Sequence, residues 1–191
     1  MHDEYDVNTY LGSLVDDIHN SLKANHHLHH HFKKNHQKLS MRHVRARCRS
    51  IGARLADLPV IYSGNTSEKA LVEKYNNGTR WSVEHQYPRQ VAGYDLYYWA
   101  VQLESYGDEQ LTELIEKLKE CRTVNMTTKQ ENKDLYQFQL YGKFKGIEQS
   151  YKEAGIVLLN WPKGAHISNL RVVYPHLTSL LDVDTSDIMN G

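Results

Sequence analysis

The 191-residue sequence has little cysteine and no long apolar run. Its two cysteines, Cys48 and Cys121, are too few for a disulfide framework and lack the spacing of a metal-binding motif. No apolar run approaches the roughly 20 residues that span a bilayer, and the mean hydropathy is −0.66. Residues 1–6 are acidic and lack the apolar segment of a signal peptide. These absences predict a cytoplasmic protein without a membrane partner.

Acidic residues are missing from one long stretch of the chain. Between Ile18 and Ala56 there is no Asp or Glu, although the chain as a whole carries no net charge. The same stretch holds nine Lys and Arg residues and eight of the twelve His residues, so the remainder carries a net charge of −9. Such segregation indicates an anionic partner for this stretch, although a charge run can also be a solvated face.

The basic stretch has the periodicity of helices. Residues 8–32 place apolar side chains three and four positions apart, and residues 33–57 continue as a basic helix or a pair of helices. Val44, Cys48 and Ile51 form an apolar stripe, and three arginines lie on the opposite face. Cations on one face, with no acid to pair them, suit the neutralisation of phosphates. The residues predicted to contact DNA are Lys33, Lys34, Lys38, Arg42, Arg45 and Arg49.

A histidine tract occupies residues 26–31, near the end of the first predicted helix. His27 and His31 are one helical turn apart, which is the spacing of a metal site or of a metal-buffering protein. The other interpretation is a solvated or nucleic-acid-facing helix end whose histidines charge as the pH falls. Both interpretations stay open.

The remainder of the chain alternates between short strands and helices. Asn77-Gly78 is typical of a turn, Asp108 is typical of a helix start, and Pro88 ends a strand that carries Glu84 and His85. Thr128 and Glu131 have the spacing of a capping box at a helix start. The predicted elements are helices over 67–75 and 109–120, strands over 79–83, 122–126 and 155–159, and a loop at 63–65.

Glu84 and His85 stand side by side at a strand end. Adjacent residues on a strand point to opposite faces, so one group can hold a metal while its neighbour acts as a base. The segments 83–88 and 124–132 resemble the EHxxP and TTKEEN phrases of small phage-type HNH nucleases, and the segment 151–156 is also similar to a part of those proteins. The resemblance covers roughly residues 80–160 and implies a ββα-metal core.

The resemblance implies a metal-dependent endonuclease that nicks one strand of DNA per active site. His85 would be the general base, Glu84 and Asn132 would hold Mg²⁺ or Mn²⁺, and Glu131 would be the fallback ligand. Arg89 and Lys129 would steady the phosphate. His85 and Asn132 are 47 residues apart, farther than in a minimal core. The middle Asn of the pattern is therefore unassigned, with Asn125 as the nearest candidate.

The expected fold class is α+β, mostly helical with a small β-hairpin and a ββα-metal core. The predicted parts are a basic His-rich arm over 1–58, a nuclease core over 59–178 and an acidic tail over 179–191. The alternative function, of a different class, is a non-catalytic module that binds nucleic acid or a protein partner through the basic helices.

Overall fold

A computed structural model of the chain describes residues 3–181. The chain has an α+β fold that is mostly helical with a small mixed sheet, as the sequence predicts. None of the helices in the described range is long and apolar enough to cross a membrane. The helices are α1 (Asp3–Lys34), α2 (Met41–Arg54), α3 (Glu68–Asn77), α4 (Arg89–Gln102), α5 (Leu111–Arg122), α6 (Lys129–Leu135), α7 (Ile147–Glu153) and α8 (Leu170–Val173). The strands are β1 (Ile61–Ser67), β2 (Ser82–His85), β3 (Thr123–Thr127) and β4 (Leu158–Asn160).

The described residues form two compact units. The helical unit comprises residues 3–61, 85–123 and 139–147, and the sheet unit comprises residues 62–84, 124–138 and 148–181. The predicted boundaries at 58 and 178 stay a prediction, and most of the predicted acidic tail lies outside the described residues.

The core of the helical unit lies among α1, α2, α4 and α5, with α2 and α4 in the most extensive contact. The apolar stripe predicted for α2 is buried, whereas of the apolar residues at helical spacing on α1 only Ile18 and Leu22 are fully buried. Large side chains fully buried in this core are Ile18, Leu22, Ile51, Tyr97 and Leu114. The two central helices approach closely where glycines meet, because a Cβ on Gly93 would lie 2.3 Å from the carbonyl oxygen of Cys48.

The sheet unit contains a four-stranded sheet in the order β2-β3-β1-β4. β1 pairs antiparallel with β4, with Asn65 opposite Asn160. A small apolar cluster belongs to the same unit, built around Leu71, Trp161 and Leu170. Both helices that follow strands of this sheet directly begin with a hydroxyl cap. The side chain of Ser67 accepts from the backbone of α3, and Thr128 caps α6 within the predicted capping box.

Several predicted boundaries are wrong, each for a local reason. The predicted loop at 63–65 lies within β1, where the carbonyl of Gly64 accepts from the backbone of Trp161 at 2.6 Å. Gly64 has a φ of 91°, so the strand contains a kink that glycine tolerates. The helix predicted to end at residue 75 continues to Asn77, and Gly78 of the predicted turn forms the left-handed cap of α3.

Two further boundaries are displaced. β2 begins at Ser82 rather than at residue 79, and it extends through His85. The helix predicted over 109–120 begins with a 3-10 turn at Asp108–Gln110, where Gln110 accepts from the backbone of Gly107, and continues as α5. The strand predicted over 155–159 is confirmed only at its end, as β4.

Candidate active site

The Glu-His pair lies at the end of β2, as the sequence predicts. Glu84 is buried, with 5 % of its surface exposed, and belongs to the sheet unit. His85 is half-buried and belongs to the helical unit. Pro88 follows three residues later, and its carbonyl accepts the backbone N–H of Ala92 in the first turn of α4. The strand therefore presents a buried carboxylate and, at the next position, a more accessible imidazole.

The imidazole of His85 has a perturbed titration. Burial lowers its pKa from the ordinary value of 6.5, and the positive charge of Arg89 lowers it further. Arg89 is exposed at the start of α4. The neutral form of His85 therefore persists to a lower pH than in an ordinary histidine. A neutral imidazole is the form that can accept a proton.

Asn132 fastens α6 to β2. Its side-chain Nδ2 donates to the hydroxyl of Ser82 and to the carbonyl oxygen of Val83, both at 3.0 Å. Both bonds use the amide nitrogen, so the side-chain Oδ1 atom takes no part in them. The Oδ1 atom of Asn132 is thus the part of the amide that can serve as a ligand. The carbonyl that its Nδ2 contacts belongs to Val83, the residue before Glu84 in β2.

Glu131 stabilises the first turn of α6. Its Oε2 atom accepts from the hydroxyl of Ser67 at 2.6 Å and from the backbone N–H of Thr128 at 2.8 Å. The Thr128 hydroxyl in turn accepts from the backbone of Glu131 at 3.1 Å. This reciprocal pair holds the start of α6, where Lys129 is exposed. Glu131 is therefore the weaker of the predicted metal ligands, with only Oε1 outside these bonds.

A buried polar network lies beside these residues. Asn125 is fully buried, accepts from the hydroxyl of Ser63 at 2.6 Å and donates to the hydroxyl of Tyr151 at 3.0 Å. Burial raises the pKa of Tyr151, and the carboxylates of Glu84 and Glu131 raise it further. Tyr151 therefore lies near both carboxylates and keeps its proton. Asn125, the nearest candidate for the middle Asn of the pattern, is engaged in this network.

The sequence does not predict the network, because Ser63 falls in the supposed loop and Tyr151 lies in a different helix, α7. The one sequence indication is that Tyr151 opens the segment 151–156, which the sequence connects with the other two motifs only through a predicted resemblance. Partners that are distant in sequence leave no periodic pattern. The network can therefore be identified only in the folded structure.

The predicted DNA-contacting residues lie on the helical unit and are all exposed. Three of these residues, all arginines, lie on α2, and the first turn of that helix contains no acidic residue. Two lysines end α1, and the sixth residue lies in the connection to α2. The set comprises Lys33, Lys34, Lys38, Arg42, Arg45 and Arg49.

The histidine tract is divided between solvent and the interior. His27 and His31 are exposed, whereas His26 is buried and its Nε2 lies 3.2 Å from the carbonyl oxygen of Leu103. Burial is the main cause of a lowered pKa at His26, and the neighbouring His30, whose ring centroid lies 4.2 Å away, lowers it further. Part of the tract thus packs within the helical unit.

Among the side chains that the structure describes, those of residues 11–181, no group of three or more His, Cys, Asp and Glu is gathered so that it could hold a metal ion. The predicted set at β2 and α6 is smaller than such a group, with one or two carboxylates and an amide. Comparison of the chain with models of protein families, with curated proteins and with solved structures gives no match.

Proposed function

We propose that the chain is a metal-dependent endonuclease that hydrolyses phosphodiester bonds of DNA and nicks one strand per active site. The observation that carries the proposal is the attachment of α6 to β2 through Asn132, next to the buried Glu84. This arrangement joins the two motifs that resemble the HNH family in a strand–strand–helix order. It supports the proposal because the two motifs are 47 residues apart in sequence.

The donors available to a metal are oxygen atoms, which suit Mg²⁺ or Mn²⁺ rather than a softer ion. Glu84 offers a buried carboxylate and Asn132 its Oδ1 atom, with Glu131 Oε1 as the fallback. Such a small set leaves most ligand positions for water and phosphate oxygens, as is usual for Mg²⁺. When bound, the ion would neutralise charge at the phosphate and at the leaving oxygen.

His85 would be the general base. Its neutral imidazole takes a proton from water while the water oxygen forms a bond to phosphorus, and the bond from phosphorus to the leaving oxygen breaks. The lowered pKa of His85 keeps the imidazole ready for this step at neutral pH. Arg89 and Lys129, both exposed, would hold phosphate oxygens and stabilise the charge that develops on them.

Incubation of supercoiled plasmid with the purified protein tests the proposal. With Mg²⁺ or Mn²⁺ we expect conversion to open circles before linear DNA forms, because one site cuts one strand. EDTA should stop the reaction. If no metal and no plasmid yields open circles, while binding to DNA weakens steeply with salt, the non-catalytic binding module is the better description.

The pH dependence of nicking should report the environment of His85. Because burial and Arg89 lower the pKa of this histidine, its basic form is lost only as the pH falls below 6.5. We expect the nicking rate to stay constant near pH 7 and to fall with an apparent pKa below 6.5. Single-turnover rates from about pH 5 to about pH 8 measure this. An acid limb at or above 6.5 would assign the base to another group.

Charge reversal on α2 should weaken DNA binding. Replacing Arg42, Arg45 and Arg49 with Glu removes three phosphate-neutralising charges from exposed positions. The slope of log affinity against log salt should therefore decrease by about 3. A double variant of Lys117 and Lys119 is the control, since each pairs with an acid on its own helix. Titrations at several salt concentrations give the slopes, and equal slopes for the triple variant and the wild type would contradict the prediction.

A further inference from the structure

A cavity of about 420 Å³ lies within the helical unit and shares no lining residue with the proposed active site. It is framed by the second half of α1, the connection to α2, the first half of α2 and one residue of α4. Its volume is within the range of small-molecule sites, roughly 300–1,000 Å³. Residues that line it include Asn25, Phe32, Lys38, Ser40, Arg47 and Tyr97.

The walls of the cavity are mainly apolar. Leu28 and Phe32 of α1 face Val44 of α2, and Tyr97 contributes from α4. A second cleft of about 500 Å³ shares Phe32, Val44 and Tyr97 with the first, so the two are parts of one groove. A flat aromatic group suits such walls, because ring faces are buried well by leucine, phenylalanine and tyrosine side chains.

The opening of the cavity is cationic. Lys38 and Arg47, both exposed, line it, and none of its described lining residues is acidic. Ser40, the cap of the 14-residue helix α2, lines it as well, and the N-terminal end of a helix favours an anion. An apolar interior with a cationic opening is complementary to an aromatic molecule that carries a phosphate or carboxylate.

The side chain of Asn25 favours an anionic ligand that also carries an N–H group. It lines the cavity, only 2 % of its surface is exposed, and its Nδ2 atom donates to the carbonyl of Ser21 at 2.8 Å. Its Oδ1 atom is buried and has no hydrogen-bond partner. A buried acceptor without a partner is costly, and a ligand with an N–H group would relieve that cost. An aliphatic acid has no such donor in its apolar part.

We propose that this cavity is a binding site for a nucleoside phosphate. The base lies between the apolar walls, one of its N–H groups donates to Asn25 Oδ1, and the phosphate binds to Lys38, in the connection to α2, and to Arg47 of α2. The site is independent of the proposed nuclease chemistry, because it requires neither His85 nor a metal. The same chemistry is present in a free nucleotide and in the phosphorylated end of a DNA strand.

Calorimetric titration of the full chain with adenosine 5′-monophosphate tests the proposal. We expect saturable binding at one site, with adenosine weaker by about tenfold or more because it lacks the phosphate. Octanoate, an aliphatic anion of similar charge, should bind more weakly than the nucleotide. Octanoate binding as tight as that of the nucleotide would overturn the proposal, as would an absence of nucleotide binding.

Variants of two lining residues, with one control, test where the ligand binds. Arg47→Glu should weaken nucleotide binding by about tenfold or more, since it reverses a charge at the opening. Arg54→Glu on the same helix does not line the cavity and should bind as the wild type does. Asn25→Leu keeps the shape of the side chain and removes the acceptor, so it should weaken nucleotide binding while leaving octanoate binding unchanged. Wild-type affinity in both the Arg47 and Asn25 variants would overturn the assignment.

A competition experiment separates the two sources. If a 5′-phosphorylated oligodeoxynucleotide displaces the nucleotide bound to the wild type, the cavity is assigned to strand ends. The Arg47→Glu variant is the reference for this competition. No displacement by the oligonucleotide assigns it to free nucleotides. Either outcome upholds a nucleoside phosphate site, and the outcomes stay interpretable if plasmid nicking is never observed.

Discussion

Replacement of His85 by Ala should reduce plasmid nicking by about 100- to 10,000-fold and leave DNA affinity close to that of the wild type. The imidazole is the group assigned to remove the proton from water, and general bases contribute about that much to rate. The side chain is half-buried at the end of a strand, so its loss removes few packing contacts. Rates come from the conversion of supercoiled to open circular DNA, and affinities from titration of labelled duplex.

His166→Ala is the matched control, because it removes an imidazole of similar size from an exposed turn. We expect it to nick as the wild type does. Added imidazole should restore part of the activity of the His85 variant and have no effect on the control. Nicking at the wild-type rate by the His85 variant would show that this histidine is not the base. Loss of DNA binding in that variant would point to a folding defect instead.

Variants of the segment 124–132 are less direct tests of the proposed chemistry. Asn132→Ala removes a candidate ligand, but it also removes both hydrogen bonds that fasten α6 to β2. A Glu131 variant would likewise release the hydroxyl of Ser67 and the backbone of Thr128. Losing a partner of a buried hydrogen bond, such as those of Glu131, costs about 1–3 kcal/mol, so loss of activity would mix chemistry with stability. His85 avoids this ambiguity.

Local chemistry explains what the sequence predicts at the site. The capping box needs only Thr128 and Glu131, three residues apart, and the structure confirms it. The sequence also places Glu84 and His85 at a strand end, because Pro88 stops the strand. The double role of Asn132 could not be predicted, since its partners in β2 lie about 50 residues away.

Contacts between segments distant in sequence explain where the predictions from the sequence were wrong or incomplete. Ser63, Gly64 and Asn65 are turn-forming residues by composition, yet they belong to β1 because β4 provides a partner from nearly 100 residues later. The buried Asn125 is similar, since a polar residue in a strand is accepted only when Ser63 and Tyr151 satisfy it. A helix with local apolar periodicity, such as α2, needed no such information.

Gly93→Ala should destabilise the helical unit strongly. The added Cβ would lie 2.3 Å from the carbonyl oxygen of Cys48 and 2.8 Å from the backbone nitrogen of Gly52. Both contacts are with backbone atoms of α2, which cannot turn aside as a flexible side chain can. The two helices must separate, and the residues packed between them lose contacts. We expect a loss of about 3 kcal/mol or more in the free energy of unfolding.

The expected change in the free energy of unfolding is a loss, whereas the intrinsic helix preference of alanine over glycine predicts a gain. The experiment therefore separates the two effects. Alanine is the better helix former by about 1 kcal/mol, so Gly12→Ala in α1 should be neutral or stabilising, since a Cβ there meets nothing within 4 Å. Gly52→Ala should behave like the Gly93 variant, because its Cβ would lie 2.7 Å from the carbonyl oxygen of Arg89. Urea titrations followed by circular dichroism compare the three variants. If Gly93→Ala unfolds at the same midpoint as Gly12→Ala, α2 and α4 do not approach each other as closely as described, and the Gly52 variant should then be tolerated as well.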